Sequence, residues 1–148
     1  MSIRNGLFFL GTILFLGITF FIIIYKFEMK ESNKYFKNLN LFITGMVTNK
    51  WVVDHNAGLL DVDVRVTSIK ECDTRANNSY YYCVIHQGKA EISEAGLSDI
   101  YIGDSIVVDS KIDSFKCFRN GELIAKRRLF RIMDFPYFTR GLRKIHRL

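Results

Sequence analysis

Leu60-Asp61-Val62-Asp63-Val64-Arg65-Val66-Thr67 alternates apolar and polar side chains without a break. Successive side chains of an extended strand point to opposite faces. The run therefore puts Leu60, Val62, Val64 and Val66 on one side, with Asp61, Asp63 and Arg65 on the other. That is a half-buried β-strand. Upstream, Phe42 to Val53 is rich in β-branched and aromatic residues. Asp54-His55-Asn56-Ala57-Gly58 joins the two with turn-forming residues, so a long first hairpin is expected.

Further along, Tyr80 to His86 reads as a third strand and Gln87-Gly88 as a tight turn into Lys89 to Ile92. Ser93 to Ser98 has room for one helical turn. Ile100 to Val108 is β-branched and reads as a strand entered through Gly103-Asp104. Ser114 to Arg119 and Glu122 to Ala125 flank Asn120-Gly121, a strong two-residue hairpin signal because type I′ turns need positive φ at both positions. Gly103, Asp104, Asn120 and Gly121 are accordingly read as serving the fold. These short strands with little helix predict a mainly β domain over residues 41–125. Its size suits a small OB-like or SH3-like β-barrel, closed or nearly so, which would hide the edges of apolar strands.

Residues 7–25 carry no charge and no proline. At about 1.5 Å per residue such a run spans roughly the 30 Å of hydrocarbon in a bilayer, and predicts one transmembrane α-helix after an N-terminal tail of residues 1–6. A cleaved signal peptide would have a shorter apolar core and a small-residue cleavage site. Here the run exits through Tyr25-Lys26-Phe27-Glu28, and the first alanine is Ala57, so an uncleaved signal-anchor is expected. Residues 26–40 mix charges with apolar residues and form a juxtamembrane stalk. Lys26, Lys30, Lys34 and Lys37 favour a cytoplasmic β-domain by the positive-inside rule. The short N-terminal tail and the ready translocation of long domains favour the opposite side. The expectation adopted is a β-domain outside the cytoplasm.

The 148-residue chain has a formal charge of +6, unevenly placed. Residues 126–148 hold eight basic side chains against Asp134 alone, and the rest of the chain holds 13 basic and 14 acidic. This basic C-terminal arm also interleaves aromatics with its cations. Arg127, Arg128, Phe130, Arg131, Phe135, Tyr137, Phe138, Arg140, Arg143 and Lys144 are the candidate partner-binding residues. A basic and apolar mixture suits a protein partner's acidic groove or an anionic lipid surface. The β-domain itself is not basic, which argues against nucleic acid even though Tyr80-Tyr81-Tyr82 could stack bases.

Cys72, Cys83 and Cys117 lack the Cys-x-x-Cys spacing of a zinc site. Cys72 and Cys83 bracket ten residues and are candidates for a disulfide if the domain is extracytoplasmic. The alternative is that all three are small buried hydrophobes. Gly103-Asp104-Ser105 is similar to an esterase nucleophile motif, but a strand rather than a helix follows it, and a turn is the preferred reading. His55, His86 and His146 are the three histidines. Haem-handling chaperones pair a membrane helix with an OB-like barrel and use His-x-x-x-Tyr, whereas Ala90 and Leu59 stand four residues after His86 and His55. No cofactor or metal is expected.

Phe42-x-x-Gly45-x-Val47, Ile102-Gly103-Asp104-Ser105-Ile106-Val107, Ser114-Phe115-Lys116 and Arg119-Asn120-Gly121 resemble a loose group of small single-pass proteins of Bacteroidota. Those proteins join an N-terminal membrane helix to a small β-domain carrying a Gly-Asp-Ser-Ile turn. Over residues 40–125 the resemblance implies a fold and a bacterial inner-membrane setting, and no chemistry. The expected role is a non-enzymatic accessory or scaffold subunit of a membrane complex. The alternatives are a haem or metal chaperone and a cytoplasmic, membrane-anchored nucleic-acid or ribosome-binding module.

Overall fold

The computed structural model of the chain describes residues 3–74 and 80–132. It divides into a first unit ending at Lys34 and a second beginning at Tyr35. One α-helix, α1, spans Ile3–Leu39 without a break. Its portion from Gly11 onward is long and apolar enough to cross a membrane. Leu14, Phe15, Phe20, Phe21 and Phe27 are all exposed, and a helix apolar on every face suits lipid rather than water.

The end of α1 is built into the second unit. Phe36 is fully buried and meets Tyr81 edge-on at 5.7 Å between ring centroids. Tyr35 meets Tyr80 at 5.5 Å. Asn40 then stops the helix at φ 48°, the left-handed conformation that asparagine tolerates at a helix C-terminus. Two serines clamp the exit. Leu41 N–H donates to Ser110 Oγ and Phe42 N–H to Ser68 Oγ, both at 2.8 Å. The segment read as a stalk therefore ends inside the β-domain's core.

Among the described residues eight antiparallel strands follow: β1 Phe42–Asp54, β2 Ala57–Thr67, β3 Cys72–Asp73, β4 Cys83–His86, β5 Lys89–Ala95, β6 Ser105–Asp109, β7 Ser114–Arg119 and β8 Glu122–Arg127. Their order in one sheet is β3-β4-β5-β2-β1-β6-β7-β8. Three hairpin turns have both central residues at positive φ, the type I′ signature: His55-Asn56, Gln87-Gly88 and Asn120-Gly121. The mainly β class with an N-terminal apolar helix is as expected. The closed barrel is not. Among the described strands, β3 and β8 remain as two edges that do not pair with each other.

What spans that gap is the segment after β8. Leu129 enters the main core, which draws on β1, β2, β4, β5, β6 and β7. Phe130 and Ile132 turn to a second cluster with Ala57, Leu59, Tyr82, Val53 and Val84. Ile132 N–H donates to Tyr80 O at 3.1 Å, just ahead of β4. Residues 128–132 thus form a strap from the end of β8 to the segment just ahead of β4.

Four readings need correction. Residues 93–95, expected in a helical turn, continue β5, and the short 3-10 helix is Leu97–Asp99. Tyr101–Asp104 is a turn, so the strand begins only at Ser105. Tyr80–Tyr82 precede β4 rather than belong to it. Val66 is exposed, although Leu60 and Val62 are buried as expected. Thr44 pairs with Val66 and Gly45 with Val64, leaving Arg65 as an extra residue. A bulge of this kind reverses the alternation beyond it.

Candidate functional site

The most organised exposed feature is the turn Tyr101–Asp104. Asp104 is buried, and its carboxylate holds the turn from inside. It accepts Tyr101 N–H at 2.8 Å and a two-pronged contact from Arg119, Nε to Oδ1 and Nη2 to Oδ2, each at 2.9 Å. These charge-assisted bonds, Arg119 first, keep the Asp104 carboxyl below its ordinary range. The turn also hangs on β1, with Gly103 N–H to Val47 O at 2.8 Å and Val47 N–H to Asp104 O at 2.9 Å. The reading of Gly103 and Asp104 as fold residues agrees with this geometry.

What the turn displays is apolar and aromatic. Tyr101 is 54% and Ile102 64% exposed. The Arg119 guanidinium lies 4.1 Å from the Tyr101 ring centroid. The Lys50 ammonium lies 5.3 Å from it while donating to Leu97 O and Ile100 O. A ring held this way has already given up much of its side-chain freedom. Tyr101, Ile102, Gly103, Asp104, Arg119 and Asn120 line a shallow depression of about 510 Å³. The sequence named Gly103, Asp104 and Asn120 but missed Tyr101 and Ile102, because Ile100–Val108 reads as a strand entered through Gly103-Asp104, and nothing local marks Lys50.

The start of the basic arm is taken up by the fold. Asp113, in the β6–β7 turn, accepts Arg128 Nε at 2.6 Å, Arg131 Nη2 at 2.8 Å and Leu129 N–H at 3.2 Å. The Arg131 side chain is 6% exposed, and Phe130 is buried in the second cluster. Arg127 faces the β5 side of the sheet, with Nη2 3.5 Å from Gly96 O and its guanidinium over the Phe115 ring. Arg127, Phe130 and Arg131 are therefore packed within the domain, and of these four Arg128 alone stays exposed. Phe135, Tyr137, Phe138, Arg140, Arg143 and Lys144 lie outside the described residues.

One buried acid stands out in the interior. Glu94 accepts Ala95 N–H at 3.1 Å through Oε1, while its Oε2 has no hydrogen-bond partner among the described residues. Burial, against the weaker effects of the Ala95 N–H bond and Arg127, raises its carboxyl to about 8, so it is held protonated at neutral pH.

Tyr81 packs in the main core and Tyr82 in the second cluster, where its hydroxyl hydrogen-bonds Glu91 Oε1. The triplet is packing, not an exposed stacking platform. His86 Nδ1 lies 2.9 Å from Glu71 on the surface, and His55 sits in the first hairpin turn. Among the described residues no three His, Cys, Asp or Glu side chains gather as metal ligands. Cys117 is buried with its thiol 3.5 Å from Asp104, and burial raises it to about 11. Cys72 and Cys83 are free thiols, and the influence of Cys83 lowers the Cys72 thiol to about 7. No protein-family model, curated protein or solved structure matches the chain.

Proposed function

We propose that this protein is a single-pass, non-enzymatic accessory or scaffold subunit of a membrane protein complex, with its β-domain outside the cytoplasm. The apolar helix is the anchor. The β-domain is a rigid module that presents the Tyr101–Ile102 turn to a protein partner, with further contact from the arm beyond Ile132.

The observation that carries the reading is the locked turn itself. Interface energy concentrates in a few Tyr, Trp and Arg side chains set on well-ordered supports. Tyr101 between Lys50 and Arg119, with Ile102 beside it, is such a group, and the buried Asp104 leaves it little to lose on binding.

Co-purification in mild detergent tests this. Full-length protein is expected to bring down one stoichiometric membrane partner, and Tyr101→Ala with Ile102→Ser to lose it while remaining folded and membrane-bound. A partner kept at wild-type yield by that double variant, or none recovered by the wild type, would contradict the proposal. Protease added to spheroplasts tests orientation separately: digestion of the β-domain is expected, and protection until lysis would place it in the cytoplasm.

A further inference from the structure

β3 is two residues long, and it forms one edge of the sheet. Cys72 pairs with Ile85 and Asp73 with Val84, which brings Thr74 opposite Cys83. Thr74 N–H donates to Cys83 O at 3.1 Å, and Cys83 N–H donates to Thr74 Oγ1 at 2.7 Å. Cys72 and Cys83 thus stand diagonally across the β3–β4 pair on one face, both packed with Ile85 in the main core. Diagonal cross-strand neighbours share a face, with Cβ atoms somewhat closer than their roughly 7–8 Å spacing, so a bond between two cysteines there draws the strands together. Here each thiol bears on the other's protonation, as neighbouring groups do. Cys83 is fully buried, whereas Cys72 is half-buried and open to attack or to a reagent.

We infer that Cys72 and Cys83 are a dithiol–disulfide pair that fastens the edge strand β3 to β4, oxidised by exchange with a disulfide donor such as glutathione disulfide or an oxidised dithiol carrier. The Cys72 thiolate attacks one sulfur of the donor, forming a mixed disulfide and releasing the first donor thiol. Cys83 gives its proton to solvent, and its sulfur attacks Cys72. The Cys72–Cys83 bond forms as the mixed disulfide breaks and the second donor thiol leaves. Two cysteine thiols are oxidised and one donor disulfide is reduced to two thiols. The asymmetry of the pair suits these roles. The influence of Cys83 brings the Cys72 thiol down to about 7, against the opposing effects of burial and Asp73. The influence of Cys72 and burial hold Cys83 protonated until it is needed. In the cell this rests on the extracytoplasmic placement proposed above, because disulfides persist in oxidising compartments.

Full-length protein in mild detergent, reduced and then equilibrated with glutathione disulfide, is the test. After unfolding and alkylation, Cys117 alone is expected to react, and a peptide joining Cys72 to Cys83 should appear with a higher Tm for the oxidised form. Cys83→Ser should retain glutathione on Cys72, and Cys72→Ser should leave the buried Cys83 unmodified with no gain in Tm. Three alkylatable thiols throughout, or linkage only between chains, would overturn the inference. Acid-trapped membranes separate it from the orientation proposal. An oxidised pair in cells supports both. A pair that forms in the purified protein but is reduced in cells keeps the dithiol inference and contradicts the placement.

Discussion

Arg131 and Phe36 meet across the domain, the guanidinium carbon 4.8 Å from the ring centroid, so the strap after β8 lies directly against the last turn of α1. Asp113 supplies the countercharge, which places helix end, β6–β7 turn and C-terminal strap in one cluster. Asp113→Ala would remove the carboxylate that the nearly buried Arg131 meets at 2.8 Å. Breaking one side of a buried ion pair costs about 3–5 kcal/mol; Asp113 is partly exposed, so the lower end is expected in urea unfolding. Arg128→Ala, at a side chain 58% exposed, should cost less than about 1 kcal/mol.

Phe36 gives a sharper contrast along a single helix. Phe36→Ala empties a fully buried ring position and should destabilise the β-domain by about 3–5 kcal/mol. Phe27→Ala, on the exposed part of α1, should leave β-domain unfolding unchanged. Equal effects of the two would mean that Phe36 is not a core residue.

Truncation separates strap from arm. A chain ending after Ala125 loses Leu129, Phe130 and Arg131 and is expected to fold poorly or melt well below wild type, read by circular dichroism. A chain ending after Ile132 keeps both clusters and should melt close to wild type. This is where the sequence misled: cations interleaved with aromatics in Arg127–Ile132 read as a docking arm. The pattern is the same one that sends Leu129 to the main core and Phe130 to the second cluster.

Other parts of the fold were legible for reasons that are local. Asn120-Gly121 and Gln87-Gly88 announce their turns because few other pairs accept positive φ twice. The Leu60–Val64 alternation was readable, whereas the Arg65 bulge depends on the partner strand and left no mark in the sequence. Tyr101–Gly103 hid inside a β-branched run because the residue that makes it a turn, Asp104, acts through Arg119 on another hairpin. β3 was invisible because two residues carry no period.

Gly121→Val tests a backbone claim in isolation. Gly121 sits at φ +85° with open space where a Cβ would go, so steric crowding is absent and only strain is added. A loss of about 1 kcal/mol or more is expected, with the Tyr101 turn's binding retained. No loss of stability would show that the turn adapts without positive φ.

Stability should respond to pH through two carboxyls of opposite sign. Burial raises Glu94 from 4.5 to about 8, so the folded state keeps a proton that the unfolded chain releases. Unfolding free energy should therefore fall as pH rises from about 4.5 to 8 and level off above. Arg119 holds Asp104 below its ordinary 3.8, so that contribution is present above pH 3.8 and lost as pH falls further. Glu94→Gln should remove the fall between 4.5 and 8, and Asp104→Asn should remove the acid limb, each read from urea titrations at stepped pH.

The most direct test of partner docking is site-specific photocrosslinking in intact cells. A photoreactive side chain at Ile102 is expected to give one discrete adduct with a membrane partner, while the same group at Ile112, exposed at the opposite end of β6, gives none. Equal labelling at both positions, or no adduct at Ile102, would contradict a role for the Tyr101–Ile102 turn as the docking surface.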